Sequence, residues 1–226
     1  MKNLHIGIIP DGNRRYSKNN GLETYEAYIR GLDNINSILE NLPNSEEVTD
    51  KVKMITMYVA SINNLTKRDK DEIEQLHHVM RYYLHSPKIS IFHEHEIKVT
   101  FVGHVHLLPT DIQNDILELQ QSTQHYNKYY FNLAIGYDGQ QEICDAITKS
   151  VGKINEPRDL SPYLYVPEEI DLVIRTGKEK RSSGFFPWQT TYAEWFYFEK
   201  MWPEFSFEDF KQCIAEFEQR SRRFGQ

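Results

Sequence analysis

Cysteine is nearly missing from this chain of 226 residues, which has only Cys144 and Cys213. They lie far apart and lack the close spacing of metal ligands, so neither a disulfide framework nor a zinc site is supported. Both read as buried thiols in a reducing cytosol, and the expected location is cytoplasmic. Long apolar runs are lacking too. No window approaches the roughly 20 uninterrupted apolar residues of a membrane-crossing helix, so no transmembrane segment is expected. The first residues hold one lysine and no extended apolar stretch, unlike a secretory signal. No internal repeat or low-complexity stretch occurs. The absence of G-x-x-x-x-G-K-[ST] and G-x-G-x-x-G leaves a nucleotide-binding module unsupported. Positive charge is in deficit, with 26 Lys and Arg against 33 Asp and Glu and a net charge of -7. That balance argues against nucleic acid as the partner.

What is present is a globular composition, 39% hydrophobic and 26% charged. Leu4–Ile9, Val52–Ser61, Ile97–Gly103, Tyr129–Tyr137 and Ile170–Gly177 read as strands. Helical spacing of apolar residues appears over Leu32–Leu42, stopping at Pro43, and again at Ile73, Leu76, Met80 and Leu84. Further helices are expected from Leu108-Pro109-Thr110 onward, over Gln140–Ser150, and after a capping box of Ser206 and Asp209. Strand and helix alternate, so the expected fold is α/β with a mostly parallel sheet. Asn155–Tyr163 reads as a polar loop within one domain spanning residues 1–226.

In open sheets of this kind, ligands bind beyond the carboxyl ends of the strands. Three cation-bearing segments stand there: Pro10–Arg15, Ser61–Lys67 and Arg175–Ser183. In "HIGIIPDGNRRY", Gly12 lets the backbone approach a ligand, and a helix starting near Asn13 would aim free N–H groups at an anion. Arg14 or Arg15 adds bidentate phosphate contacts. Asp11 facing a phosphate needs a cation between them. Mg²⁺ suits that place, because it takes one or two carboxylates plus phosphate oxygens and water. A plain Asp-Gly turn explains the same three letters. In "RTGKEKRSSGFFPWQTTYAEWFYF", Arg175, Arg181 and Ser183 offer a second anion pocket. Glu194 there could hold a metal or orient an arginine. Two anion pockets separated by apolar surface suggest two phosphorylated, greasy substrates.

Taken together, "HIGIIPDGNRRYSKNNG", "MYVASINN", "FNLAIGYDG", the segment Arg175–Phe198 and "WPEF" resemble the cis-prenyltransferase, or undecaprenyl diphosphate synthase, family in order and spacing over nearly the whole chain. The resemblance implies a homodimer whose sheet and helices enclose an apolar tunnel, coupling allylic and homoallylic diphosphates with Mg²⁺. By position, Asp11 resembles the metal-binding aspartate, and Gly12, Asn13 and Arg15 the first phosphate cradle. Arg175, Arg181 and Ser183 resemble the pocket for the second diphosphate, and Glu194 a second metal-associated carboxylate. Arg223 and Gly225 in "RRFG" resemble a C-terminal Arg-x-Gly that completes a site across the dimer. Ser61 and Asn64 match catalytic positions, and Lys67 stands for an arginine.

The departures point to a subtype. Chain-elongating members usually carry arginine at Thr24, histidine at Tyr28, glutamate at Asn63 and tryptophan at Leu65. Pro187 also interrupts a leucine-rich step before Trp188. Tyr28, the missing acid at Asn63, and "FFP" resemble the lavandulyl and cyclolavandulyl diphosphate synthase branch, which joins two dimethylallyl diphosphates head to middle; Asn13 follows the regular enzymes. Head-to-middle coupling is the expectation. Regular cis-elongation with isopentenyl diphosphate is the alternative, and a non-catalytic partner subunit a further one. Tyr28 either replaces a general base or fills its space, and Ser61 either relays a proton or caps a strand end. Val59 and Ile135, with Tyr82 and Tyr83, would narrow a tunnel; the other reading is ordinary packing. The histidine pairs His93/His95, His104/His106 and His77/His78 lack a partner carboxylate pattern and read as surface or satisfied polar groups.

Overall fold

A computed structural model describes residues 3–220. Strand β1 (Leu4–Ile9) is buried at every position, as a continuous apolar run inside a parallel sheet should be. Helices α1 (Asn13–Asn20) and α2 (Thr24–Asn41) follow, then β2 (Val52–Ser61), α3 (Ile62–Thr66), α4 (Lys70–Leu84), α5 (Ser90–Glu94) and β3 (Ile97–Val102). The chain continues through α6 (Thr110–Thr123), β4 (Tyr129–Tyr137), α7 (Gly139–Lys149), β5 (Leu172–Arg175), β6 (Glu194–Tyr197) and α8 (Phe207–Gln219).

The strands form one sheet in the order β3-β4-β2-β1-β5-β6, every pairing parallel. Strand β2 lies beside β1, β3 forms the far edge and β4 inserts between them, and the chain then crosses to the other side of β1 with β5 and β6. The connections therefore reverse direction at β1, the position beyond which open sheets bind ligands.

Helix α2 buries Ala27, Ile35, Ile38 and Leu39 on one stripe, and α8 buries Phe210, Ile214 and Phe217. Both pack into the main core with β1 and β2. The Ser206–Asp209 capping box forms as its spacing predicts, with Ser206 N–H donating to Asp209 Oδ2 at 2.9 Å. The amino half of the sheet is pinned by a buried polar cluster. His5 Nδ1–H donates to the Glu169 carbonyl at 3.0 Å, and the Thr56 hydroxyl donates to His5 Nε2 at 2.7 Å. Asn132 Nδ2 donates to the same Thr56 oxygen at 3.0 Å. Burial holds the His5 imidazole down at about 4, against opposing effects from the Glu169 carbonyl and Asp171.

The expected parallel α/β architecture is present, with differences: β5 takes only Leu172–Arg175 of the expected Ile170–Gly177, and a short 3₁₀ helix, Pro157–Tyr163, forms within the expected loop. "EWFY" adds a sixth strand. Helix α2 starts at Thr24, before the first apolar repeat at Leu32, under a capping box of Glu23 and Glu26. Cys144 is exposed on α7, and only Cys213 is buried.

Candidate active site

The end of β1 builds the site. Gly12 has φ 104° and precedes the first turn of α1, which contains no acid. A Cβ there would lie 2.9 Å from Met201 Cβ, so both the torsion and the space require glycine. Tyr16 N–H bonds the Gly12 carbonyl at 2.8 Å, leaving the N–H groups of Asn13, Arg14 and Arg15 at the open amino end of the helix.

Asp11 sits between two guanidinium groups. Its Oδ1 accepts from Arg15 Nη2 at 3.1 Å, and its Oδ2 from Arg175 Nη2 at 2.9 Å. Its carbonyl is held by the Thr176 hydroxyl at 2.8 Å and Trp202 N–H at 3.0 Å. Arg175 closes β5 and is only 3% exposed. Its Nη1 donates to Ser183 Oγ at 2.8 Å and to the Arg181 carbonyl, while its buried Nε has no partner among the described residues. A buried cation needs this degree of pairing.

These groups line a cleft of about 750 Å³, together with Arg14, Tyr58, Ser61, Asn64, Arg68, Glu72, Asp138, Glu179 and Arg181. The two expected anion pockets are therefore one cleft: the direct Asp11–Arg175 pair replaces the apolar surface expected between them. Carboxylates already occupy the outer arginines. Arg14 Nη1 donates to both carboxylate oxygens of Glu72, at 2.8 and 2.9 Å, and Arg15 and Arg181 both face Glu179. Partly exposed pairs like these are worth roughly 0–1 kcal/mol each, so an incoming diphosphate can displace them.

Ser61 and Asn64 cap α3 reciprocally: Asn64 N–H donates to Ser61 Oγ, and Ser61 N–H to Asn64 Oδ1, both at 3.1 Å. Both still line the cleft. Tyr28 accepts from Arg68 Nη1 at 3.4 Å. Arg68 lines the cleft, and Lys67, the C-cap of α3, is exposed outside it. The cation expected at Lys67 is thus supplied by the next residue. Burial pushes the Tyr58 phenol well up; the Asp138 charge adds to this and Arg175 opposes it.

Beside the cleft lies an apolar cavity of about 130 Å³, walled by Leu32, Met57, Val59, Met80, Tyr83, Phe131 and Ile135. Asn13, Tyr28 and Val59 border both spaces. Asn13 Nδ2 donates to the Pro10 carbonyl at 3.0 Å, and its buried Oδ1 has no partner among the described residues. The Tyr83 hydroxyl donates to Asn36 Oδ1 at 2.6 Å, fixing the ring in the cavity wall. Tyr82 does not take part. It is 43% exposed and lies edge-on to Tyr25, because at 3.6 residues per turn it falls on the face of α4 opposite Met80 and Leu84.

Glu194 also departs from expectation. It begins β6 opposite Leu172, three residues before the strand end that bears Arg175, or about 10 Å below the cleft edge at the usual rise per residue. It is paired with Arg220 at 2.9 Å. The fold does not bring it to Asp11 within one chain, since its aromatic neighbours form a strand that fixes its height. Arg223 and Gly225 lie outside the described residues. Among the described residues no group of three or more His, Cys, Asp or Glu could enclose a metal. One carboxylate among arginines fits a hydrated Mg²⁺ carried in with a diphosphate, and does not fit a protein-built cage.

Asp138, Glu72, Glu179 and Arg68 were not singled out from sequence. Asp138 had a usable signal, because it follows β4 as Asp11 follows β1.

The family profile described as "Putative undecaprenyl diphosphate synthase" matches residues 9–225. The chain is 36% identical to a tritrans,polycis-undecaprenyl-diphosphate synthase (geranylgeranyl-diphosphate specific) of Pyrobaculum aerophilum, covering 98% of this chain and 95% of the relative. It is 34% identical to the enzyme of that name from Thermoplasma acidophilum, over 98% and 88%. Among solved structures, lavandulyl diphosphate synthase from Lavandula x intermedia in complex with dimethylallyl diphosphate matches with a TM-score of 0.89, 26% identity and 98% coverage of both chains. A probable undecaprenyl diphosphate synthase from Campylobacter jejuni matches with a TM-score of 0.82 and 27% identity over 100% of both chains. With an arginine-lined anion cleft at the reversal point of a parallel sheet and an apolar cavity beside it, the chain belongs to the undecaprenyl diphosphate synthase family and is a cis-prenyltransferase.

Proposed function

We propose that this chain couples two five-carbon allylic diphosphates head to middle, the donor and acceptor both being dimethylallyl diphosphate. The size of the apolar cavity carries this reading. A cavity of about 150 Å³ lined by aliphatic and aromatic groups binds benzene, so the 130 Å³ space here suits one five-carbon chain. The likeness to the lavandulyl enzyme supports the same reading. A second reading, regular cis-elongation with isopentenyl diphosphate, is favoured by the names of the Pyrobaculum and Thermoplasma relatives. It would need an apolar space several times larger.

In the proposed reaction, Arg15, Arg175 and the open N–H groups of α1 bind the donor diphosphate and stabilise charge as it leaves. Asp11 would hold Mg²⁺, which when bound neutralises the leaving group. Arg181 and Ser183, beside Arg175, hold the acceptor diphosphate. Val59, Ile135 and Tyr83 seat the donor chain and keep water from the allylic cation. The active form is a cytoplasmic homodimer formed along β6, the sheet edge bearing Trp195 and Tyr197. Among the described residues no helix is long and apolar enough to cross a membrane.

Incubation with dimethylallyl diphosphate alone in Mg²⁺ should give a branched ten-carbon diphosphate. Product that forms only when isopentenyl diphosphate is added, and is linear, would replace this reading with elongation.

A further inference from the structure

The acids of the cleft are not equivalent. Asp11, Glu72 and Glu179 are each held by arginine. Asp138 lines the same cleft and has no ion pair among the described residues. Its Oδ1 accepts from the N–H groups of Gln140 and Gln141 at 3.0 and 3.1 Å, capping α7. Its Oδ2 has no hydrogen-bond partner among the described residues.

This carboxylate is firmly placed. Glu142, one turn further along α7, is fully buried; it accepts from the Tyr137 hydroxyl at 2.5 Å, Tyr165 N–H at 2.9 Å and Gln189 Nε2 at 3.0 Å. A Cβ on Gly139 would lie 2.4 Å from the Gly184 carbonyl, so the start of α7 is seated against the loop that carries Ser183. Ser183 bonds Arg175, and the Tyr58 hydroxyl donates to the carbonyl of Tyr137, next to Asp138, at 3.2 Å. Asp138 therefore stands on the acceptor side of the cleft with one oxygen free.

We propose that Asp138 is the general base of the coupling. The donor C–O bond breaks, and its electron pair leaves on the diphosphate. The acceptor double bond supplies the pair for the new C–C bond, which leaves a tertiary cation on the acceptor. An adjacent C–H pair becomes the new double bond as its proton moves to Asp138 Oδ2, and the carboxyl returns the proton to water after product release. The assignment rests on coupling in this cleft with the acceptor at Arg181 and Ser183. A proton is lost in both head-to-middle coupling and regular elongation, so the assignment does not depend on which occurs. The oxygens of Asp11, Glu72 and Glu179 each become available only when an arginine partner is displaced, whereas Asp138 Oδ2 accepts a proton without losing one.

The test begins by finding which substrates the wild-type enzyme couples, dimethylallyl diphosphate alone or with isopentenyl diphosphate. That result decides the subtype. Asp138→Asn is then compared with wild type on the same substrates. Asparagine keeps the helix cap, so folding should hold; Asp138→Ser, another capping residue, checks this. A positioned base contributes 10²–10⁴-fold, so kcat should fall about 100-fold or more with KM changed by less than about threefold. Deuterium at the departing position of the acceptor should slow Asp138→Asn more than wild type, and Asp138→Glu should recover part of the rate. A rate for Asp138→Asn within about threefold of wild type would give the proton to the leaving diphosphate and overturn the assignment. A loss reversed by raising Mg²⁺ would place Asp138 on the metal and overturn it equally.

Discussion

Arg175 joins stability to function at the level of a single residue. Its guanidinium is buried and its main carboxylate partner is Asp11. Removing Asp11 thus does more than delete the proposed Mg²⁺ ligand. Breaking a buried pair from one side costs about 3–5 kcal/mol. Asp11 is about a third exposed, so Asp11→Ala should abolish turnover and also lower unfolding stability by roughly 2 kcal/mol. Urea denaturation measures this; a variant as stable as wild type would show that Arg175 is satisfied by Ser183 and the Arg181 carbonyl alone. The adjacent tyrosines make a second contrast. Tyr83→Ala removes a wall of the apolar cavity and leaves Asn36 without its hydroxyl partner, at a cost of about 3 kcal/mol or more. It should also admit longer allylic donors, read by product length. Tyr82→Ala should leave product and stability within about 0.5 kcal/mol of wild type. Equal effects from the two would place the chain elsewhere. The apolar stripe of Ile73, Leu76, Met80 and Leu84 already puts Tyr82 on the opposite face of α4 and Tyr83 at the stripe's border; that Tyr83 enters the cavity wall depends on how α4 packs against α2 and α6.

Among the elements, the strands were legible where they are long and buried. The β1 and β4 runs are apolar because both faces of a central parallel strand are covered. The fifth strand is shorter than its apolar run, and β6 was missed: it has four residues, and its aromatic letters do not separate a strand from a loop packed on the core. Segment chemistry at the strand ends was legible through Asp11, Arg175 and Ser183. The one-residue difference between Lys67 and Arg68 was not, because it depends on where α3 ends. The polar pin between β1, β2 and β4 makes a pH prediction. The hydrogen bonds of His5 require Nδ1–H and an accepting Nε2, the neutral ring. Its folded value of about 4 lies below the ordinary 6.5. The unfolded chain therefore binds the extra proton first. The stabilisation is complete above pH 6.5 and is lost as pH falls toward 4, amounting to about 3 kcal/mol. Denaturant titrations from pH 7 to 4 should show this loss in wild type and a flatter profile in His5→Gln. Parallel profiles would remove His5 as the cause.

The two edges of the sheet differ, and that difference bears on the assembly of the whole molecule. An exposed strand edge invites pairing unless it is covered. The β3 edge is covered: Val99 N–H donates to Thr123 Oγ1 at 3.2 Å and Phe101 N–H to Gln120 Oε1 at 2.7 Å, both from α6. Among the described residues the main-chain bonds of β6 run to β5, and no side chain bonds its backbone. The surface there is aromatic, with Trp195 stacked on Tyr197, Tyr197 38% exposed and nearby Tyr192 65% exposed. An aromatic, unprotected edge on a chain of net charge -7 suits a second copy better than a charged ligand. Light scattering at micromolar concentration should give twice the chain mass, and Trp195→Asp, which places a charge on this edge, should shift the protein toward monomer with its helical circular dichroism unchanged. Glu194 and Arg220 stand on the same edge, so activity lost on dissociation and regained at high protein concentration would mean that each cleft draws on its neighbour. A wild-type monomer with full turnover would confine the whole reaction to the groups around Asp11, Arg175 and Asp138.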